Sequence, residues 1–316
     1  MSETDYRMRL LVVRLSALGD VAILEPVLRQ RAAANADVLF MVAGPPRLEP
    51  LFGGMENVRY VGTERRQRVK DLYRSLSVLK PDMVADMHHV LRVVGMDWLF
   101  RLHGVRVRSI RKHTRYDEPS WKRYDRVFDH CGLKGSAKCE GYWTVKEGAG
   151  RRRVVGVAPF AQHEGKIWPV ERMEKLVGLL SEKGYEVRLL GSGAEAGVLE
   201  QWAERYSGVE SLAGKLPFEE ELNRIGQLDV MVSMDSANMH FASCMGIPVV
   251  SIWGATHPCR GFYGWRQDPE WAVQHEMDCR PCSKYGNKPC RKGDYPCMKG
   301  IAPEEVLEKV ERVLGR

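Results

Sequence analysis

The sequence predicts two α/β domains, each built on a parallel sheet. Three observations carry this. Short apolar runs alternate with helix-length segments along the chain. The alternation is interrupted once, by a Gly- and charge-rich stretch over 146–153, and then restarts. Polar turns follow several of the apolar runs, at 16–20, 191–193 and 235–240. Strands alternating with helices imply parallel sheets covered on both faces, and 316 residues suffice for two domains of ordinary size.

In the first half, Leu10-Leu11-Val12-Val13 is an apolar strand. Val21-Ala22-Ile23-Leu24 opens a helix after the polar turn at 16–20. Pro26 lies early in that helix and predicts a kink there or a later start, because proline suits only a first turn. Further strands are expected over 37–42, 57–61 and 82–86, with a helix over 69–79 and a short fifth strand at 105–107. The break near residue 150 sets the domains at 1–150 and 151–316. In the second half, Val154-Val155-Gly156-Val157-Ala158 is a strand. Trp168-Pro169 opens a helix to about residue 183, with proline at its favoured first position. Strands are expected over 187–190, 228–234 and 249–253, and a final helix over 303–314, where Val306, Val310 and Val313 recur at helical spacing.

Composition narrows the function. Hydrophobic content of 44% and charged content of 28% mark a globular chain. No apolar run approaches the roughly 20 residues of a membrane span. The polar, acidic start is no secretory signal, so the expectation is a cytoplasmic protein whose eight cysteines are thiols or metal ligands rather than disulfides. The net charge is +7. Between Arg101 and Arg126 lie nine basic residues against three acidic ones. Such a patch suits nucleic acid, an anionic membrane or a phosphorylated substrate, and a solvated surface is the plainer alternative. No helix-turn-helix, RRM or zinc-finger signature supports nucleic acid.

Asp235-Ser236-Ala237-Asn238-Met239-His240 is the most informative stretch. It joins the apolar run 228–234 to a helical run at 241–245. A strand, a polar turn and a helix start make an anion site, because free N–H groups and the helix dipole favour a phosphate. Capping of the helix by Asp235 or Ser236 is the competing explanation. Gly191-Ser192-Gly193-Ala194-Glu195 also follows a strand, with Glu195 placed to accept from ribose hydroxyls; an ordinary glycine turn fits equally. There is no GxGxxG, which argues against a dinucleotide oxidoreductase. Cys279, Cys282, Cys290 and Cys297 begin as a CxxC and then spread out, so no metal site is assigned and structural zinc stays a minor alternative.

Four segments, in this order, resemble glycosyltransferase family 9, the heptosyltransferases of lipopolysaccharide core assembly. They are Arg14-Leu15-Ser16-Ala17-Leu18-Gly19-Asp20-Val21; Lys166-Ile167-Trp168-Pro169; Asp235-Ser236-Ala237-Asn238-Met239-His240; and the Cys-rich tail through Met298-Lys299-Gly300-Ile301-Ala302-Pro303. The resemblance implies the GT-B fold: an N-terminal acceptor-binding and a C-terminal donor-binding Rossmann-like domain facing across a cleft, with the C-terminal helix a candidate to pack back on the first. It implies inverting, metal-independent transfer of heptose from ADP-heptose to a lipid A–core acceptor, with no cofactor. Asp20 matches the base, and Lys166 the lysine that meets the donor's phosphates and opposes the leaving group's charge. Asp235, Ser236, Ala237 and His240 match the donor motif, Ala237 standing where the family has glycine. Gly191 and Glu195 are candidates for the nucleoside. Ser16 and Gly19, whose glycine allows close approach, are acceptor candidates, as are the basic Arg111, Lys112 and Arg115. The implied setting is the cytoplasmic face of an anionic inner membrane, with peripheral contact and no nucleic acid partner. The alternatives are another donor or acceptor within the family, and a non-catalytic anion- or nucleic-acid-binding protein.

Overall fold

The computed structural model describes residues 6–64, 66–110, 118–145 and 153–315. The chain divides into two compact units, Met1–Cys139 and Glu140–Arg316. Both are α/β with wholly parallel sheets.

The first unit runs β1 (Met8–Val13), α1 (Leu18–Ala34), β2 (Val38–Gly44), β3 (Val58–Gly62), α2 (Val69–Ser77), β4 (Met83–Asp86), α3 (Leu91–Leu102), β5 (Arg106–Ser109) and α4 (Ser120–His130). Its sheet order is β3-β2-β1-β4-β5. β2 is buried at every position and β1 at all but Arg9, which is why both read as unbroken apolar runs rather than alternating ones. Val93, Met96 and Phe100 of α3 and Leu72 and Leu76 of α2 close one core cluster over Leu11, Val13 and Val84. The register sets Val13 of β1 beside Asp86 of β4, so the segments leaving these two strands emerge side by side.

Two sequence expectations about α1 are corrected. The helix starts at Leu18, earlier than expected rather than later, and continues through Pro26 to Ala34 as one element. Gly19 and Asp20 therefore belong to its first turn, not to the turn before it.

The second unit runs β6 (Val154–Ala158), α5 (Val170–Glu182), β7 (Glu186–Leu189), α6 (Ala196–Arg205), β8 (Val209–Ser211), α7 (Phe218–Ile225), β9 (Val230–Met234), α8 (Ala237–Cys244), β10 (Val249–Trp253), β11 (Ala272–Gln274), α9 (Pro296–Lys299) and α10 (Pro303–Val313). Its sheet order is β11-β10-β9-β6-β7-β8, so the carboxyl ends of β10, β9 and β6 are neighbours. The apolar face of α10, with Val306, Leu307 and Val310, is buried in this unit's core beside Met173, Leu176 and Val177 of α5. The division falls between Cys139 and Glu140, and the chain after it is tied into the second unit. The Trp143 N–H donates to the Arg266 carbonyl at 2.9 Å, and the Arg266 guanidinium lies 4.1 Å from the Trp143 ring. Most of the 146–153 linker stretch lies outside the described residues.

Arg31 ties α1 to the end of the first unit. Fully buried, it pairs with Asp125 and Asp129 at 2.6 Å each and donates to the carbonyls of Asp125, Lys134 and Gly135. Arg31→Met strands the buried Asp125 carboxylate, and breaking such a pair on one side costs about 3–5 kcal/mol. Denaturant unfolding of this variant is expected to show a loss of that size; a loss under about 1 kcal/mol would mean the network is as dispensable as a surface pair.

Candidate functional site

Two polar clusters form at the carboxyl ends of the central strands, one in each unit.

In the first unit the chain leaves β1 at Arg14. Its Nη2 lies 2.5 Å from Asp20 Oδ2, its Nη1 donates to the Met87 carbonyl at 2.6 Å, and its guanidinium sits 5.7 Å from the Tyr124 ring centre. Burial acts against the charged guanidinium, but Tyr124 and Asp20 outweigh it and hold Arg14 above its ordinary pKa. Asp20 Oδ2 also accepts from the Ala17 N–H at 3.4 Å. Asp20 is thus the third residue of α1, bonding back to the N-cap amide, and the same oxygen holds an ion pair as well. The other oxygen, Oδ1, meets only a long contact from the Tyr124 hydroxyl at 3.5 Å among the described hydrogen bonds.

The neighbouring strand adds a second layer. Asp86, fully buried, accepts from the backbone N–H groups of His88 and His89 at 2.8 Å each, and His89 Nδ1 lies 3.3 Å from it. This holds the turn that places His88 Nε2 3.1 Å from Ser16 Oγ. Burial, then the charge of Arg14, pushes the His88 imidazole down to about 4, so it is neutral at physiological pH. Behind Asp86 lies Asp97 of α3, 1% exposed, which accepts from the Ser109 hydroxyl at 3.2 Å. Burial, and next the charge of Asp86, pushes Asp97 up to about 8. Asp97 therefore carries a proton at neutral pH, and that proton lets it donate to Asp86 instead of repelling it. Arg111, Lys112 and Arg115 lie outside the described residues.

In the second unit three neighbouring strands converge. Lys166 ends a 3-10 turn after β6, Asp235 follows β9 and Thr256 follows β10. Lys166 Nζ lies 2.8 Å from Asp235 Oδ2, and the Thr256 hydroxyl donates to that oxygen at 2.8 Å. Asp235 is 4% exposed. Its carboxylate is spent on the lysine and not on the helix: Ser236 is the N-cap of α8, in extended conformation, with no side-chain capping bond. The first amides of α8, from Ala237 on, have no acceptor inside the helix, and Ser236, Ala237 and Asn238 are only half-buried.

The Cys-rich segment supports this cluster. Gly286, at φ +76°, lies under the lysine stem, where a Cβ would fall 2.5 Å from Lys166 Cγ. Arg280 donates to the carbonyls of Gly254, Trp253 and Thr256 and so pins the loop that carries Thr256. Among the described residues no three His, Cys, Asp or Glu side chains stand as a ready-made metal-ligand group. Cys297 is buried in the core beside Met298, and burial above all pushes its thiol pKa up.

Other sequence candidates are placed differently. His240, on α8, is 5% exposed. Glu195 Oε2 accepts from both the N–H and the hydroxyl of Ser192, closing its own turn. A Cβ on Gly191 would sit 2.8 Å from Leu199. Sequence reasoning passed over Arg14, Asp86, His88, Asp97 and Thr256 as site residues. Asp86-Met87-His88-His89 carried the same signal as 16–20, a polar run at the end of an apolar strand.

The profile of glycosyltransferase family 9 (heptosyltransferase) matches residues 57–292. Lipopolysaccharide heptosyltransferase 3 of Escherichia coli is 31% identical over 157 residues, covering 48% of this chain and 41% of that protein. Lipooligosaccharide heptosyltransferase 2 of Haemophilus influenzae is 31% identical over 182 residues, covering 53% and 49%. This chain thus spans about half the length of the relatives it matches. The structure of E. coli ADP-heptose lipopolysaccharide heptosyltransferase II superposes with a TM-score of 0.73 at 18% identity, covering 97% of this chain and 98% of that one. A family 9 glycosyl transferase of Veillonella parvula gives 0.75 at 18%, covering 98% of both. These likenesses show the fold.

The two shifted groups beside Asp86 act oppositely on stability. Between 3.8 and about 8 the folded chain keeps a proton on Asp97 that the unfolded chain has lost, so this carboxyl destabilises progressively as pH rises through that window. Between 6.5 and about 4 the folded chain lacks a proton on His88 that the unfolded chain holds, so stability is lost as pH falls there. Asp97→Asn keeps a donor for Asp86 without a titrating proton. Unfolding free energies at pH 6.5 and 8 are expected to differ less in Asp97→Asn than in the parent. An equal fall in both would place the proton elsewhere.

Proposed function

This chain belongs to glycosyltransferase family 9, the heptosyltransferases, and has their two-domain GT-B fold; from that premise we propose that it transfers heptose from ADP-heptose, with inversion, to an inner-core sugar of a lipopolysaccharide acceptor. The observation that carries the reading is the Lys166–Asp235–Thr256 cluster at the start of α8. Asp235 aims the ammonium while leaving it other N–H donors, and the first amides of α8 lie beside it. A diphosphate leaving group needs this combination: a fixed cation and a helix N-terminus where charge develops.

Asp20 is the proposed base. Arg14 and the Ala17 amide fix Oδ2, which leaves Oδ1 for the acceptor hydroxyl. As that oxygen bonds to the anomeric carbon, its proton passes to Asp20, the bond to the diphosphate breaks, and the diphosphate's charge grows against Lys166 and α8. Ser16, held by neutral His88, and Gly19 line the acceptor side, with Arg111, Lys112 and Arg115 proposed to meet the acceptor's acidic groups. Gly191 and Glu195, at the end of β7, are assigned to the nucleoside side, and Ser236 and Ala237 to the diphosphate. No step calls on a metal or cofactor. No helix among the described residues is long and apolar enough to cross a membrane; the lipid-anchored acceptor is proposed to be met by peripheral contact at the cytoplasmic face.

Incubation with ADP-heptose and a deep-truncated lipopolysaccharide acceptor is expected to give a heptose-sized mass gain. Asp20→Asn should lower the rate by about 10²–10⁴ and leave donor affinity intact. Lys166→Ala should weaken donor binding, read by calorimetry, by about ten- to a hundredfold, as loss of a charge-assisted contact does. Donor binding indifferent to Lys166, or transfer indifferent to Asp20, would overturn these assignments.

A further inference from the structure

Helix α3 is apolar on two sides. Its inner side, with Val93, Met96 and Phe100, is buried in the first unit's core. Its outer side carries Leu91, Trp98 and Leu102, which are 92%, 63% and 66% exposed. These three recur at i, i+7 and i+11, a single stripe along the helix. A helix apolar on both faces requires a second apolar partner, and a contiguous exposed stripe of this kind marks an interaction surface.

The charges beside the stripe say which partner. Arg92 and Arg101 flank it on either side of the helix, and the helix's single acid, Asp97, is buried and turned toward Asp86. Helix α2, packed against α3 through Val69 on Gly95 and Tyr73 on Phe100, adds the exposed Lys70 and Arg74 against one exposed acid, Asp71. A tryptophan and leucines rimmed by arginines are the composition of a helix lying in the headgroup plane of an anionic bilayer, where the ring has both an apolar and a wet side. The stripe also begins at the functional end of the sheet, since Leu91 follows closely on His88, which contacts Ser16.

We propose that the outer face of α3, Leu91–Trp98–Leu102 with Arg92 and Arg101, docks the protein on an anionic lipid bilayer. Docking there sets the carboxyl end of β4 at the lipid surface, where a lipid-anchored acceptor presents its sugar. That consequence rests on the function proposed above; the docking does not.

Sedimentation with phosphatidylcholine vesicles, with and without added phosphatidylglycerol, tests it. The wild-type chain is expected to partition onto the anionic vesicles. The double substitution Trp98→Ser with Leu102→Ser should lower that partitioning about tenfold or more. Arg101→Glu should lower it too and flatten its salt dependence. Leu91→Ser, at a nearly fully exposed position, gives the same reading if the double variant folds poorly. Unchanged sedimentation of the variants overturns the proposal. So does light scattering that shows a wild-type dimer which these substitutions make monomeric, because the stripe is then a self-interface. ADP-heptose affinity, measured on the same samples, should not move; its absence in the wild type would count against the proposed donor and leave the docking result standing.

Discussion

Parallel pairing of β1 with β4 sets Val13 beside Asp86, and the first unit's polar cluster depends on that register. In a parallel sheet all strands end on one side, so polar side chains just past neighbouring strands are brought together by backbone hydrogen bonding alone. Arg14 reaches both Asp20, in its own βα segment, and Met87, in the next one. Ser16 and His88 meet across the same gap. A slip of one residue would turn every β1 side chain to the other face of the sheet. The apolar burial of β1 and β2 therefore fixes the polar geometry indirectly, by making any other register costly.

The second unit repeats the constraint with different chemistry. Ala158 of β6 is level with Ser233 of β9, and Met234 with Ile252 of β10, so the three following segments deliver Lys166, Asp235 and Thr256 to one place. An aspartate 4% exposed cannot be left alone, because an unpaired buried charge costs several kcal/mol. Lysine and threonine compensate it, and in doing so the aspartate immobilises a cation that would otherwise sample many rotamers. The pair is neutral in sum. For the diphosphate proposed to bind there, what counts is direction: the ammonium and the first amides of α8 are donors held in place before any ligand arrives.

The fold class and most strands were legible because buried parallel strands write themselves as continuous apolar runs; 154–158 and 249–253 match to the residue. Helices α3, α4, α6 and α7 were not anticipated. In α3 the reason is physical: Leu91, Trp98 and Leu102 on the outside blur the period that Val93, Met96 and Phe100 set on the inside. Pro26 misled because proline disfavours a helix interior only on average, and α1, buried along Val21–Leu28, continues through it. The site residues were legible where a motif named them. Which oxygen of Asp20 is occupied, and what Asp235 does instead of capping, depends on partners many residues away and enters only with the fold.

The contrast between Asp86 and Asp235 shows how one residue type at one topological place takes two roles. Asp86 ends one central strand and Asp235 follows another, and each is almost fully buried. Asp235 meets a lysine, so its charge is compensated by a side chain that remains partly accessible, 18% exposed. Asp86 meets two backbone amides and a protonated Asp97, so its charge is absorbed inside the unit, and what it controls is the shape of the turn holding His88. Lys166 and His88 are the partly exposed members, one a cation and one a neutral ring. That division suits the proposed reaction, in which one substrate loses a diphosphate and the other only a proton: fixed positive charge is needed where the diphosphate leaves, while Arg14 serves to hold one oxygen of Asp20 in place.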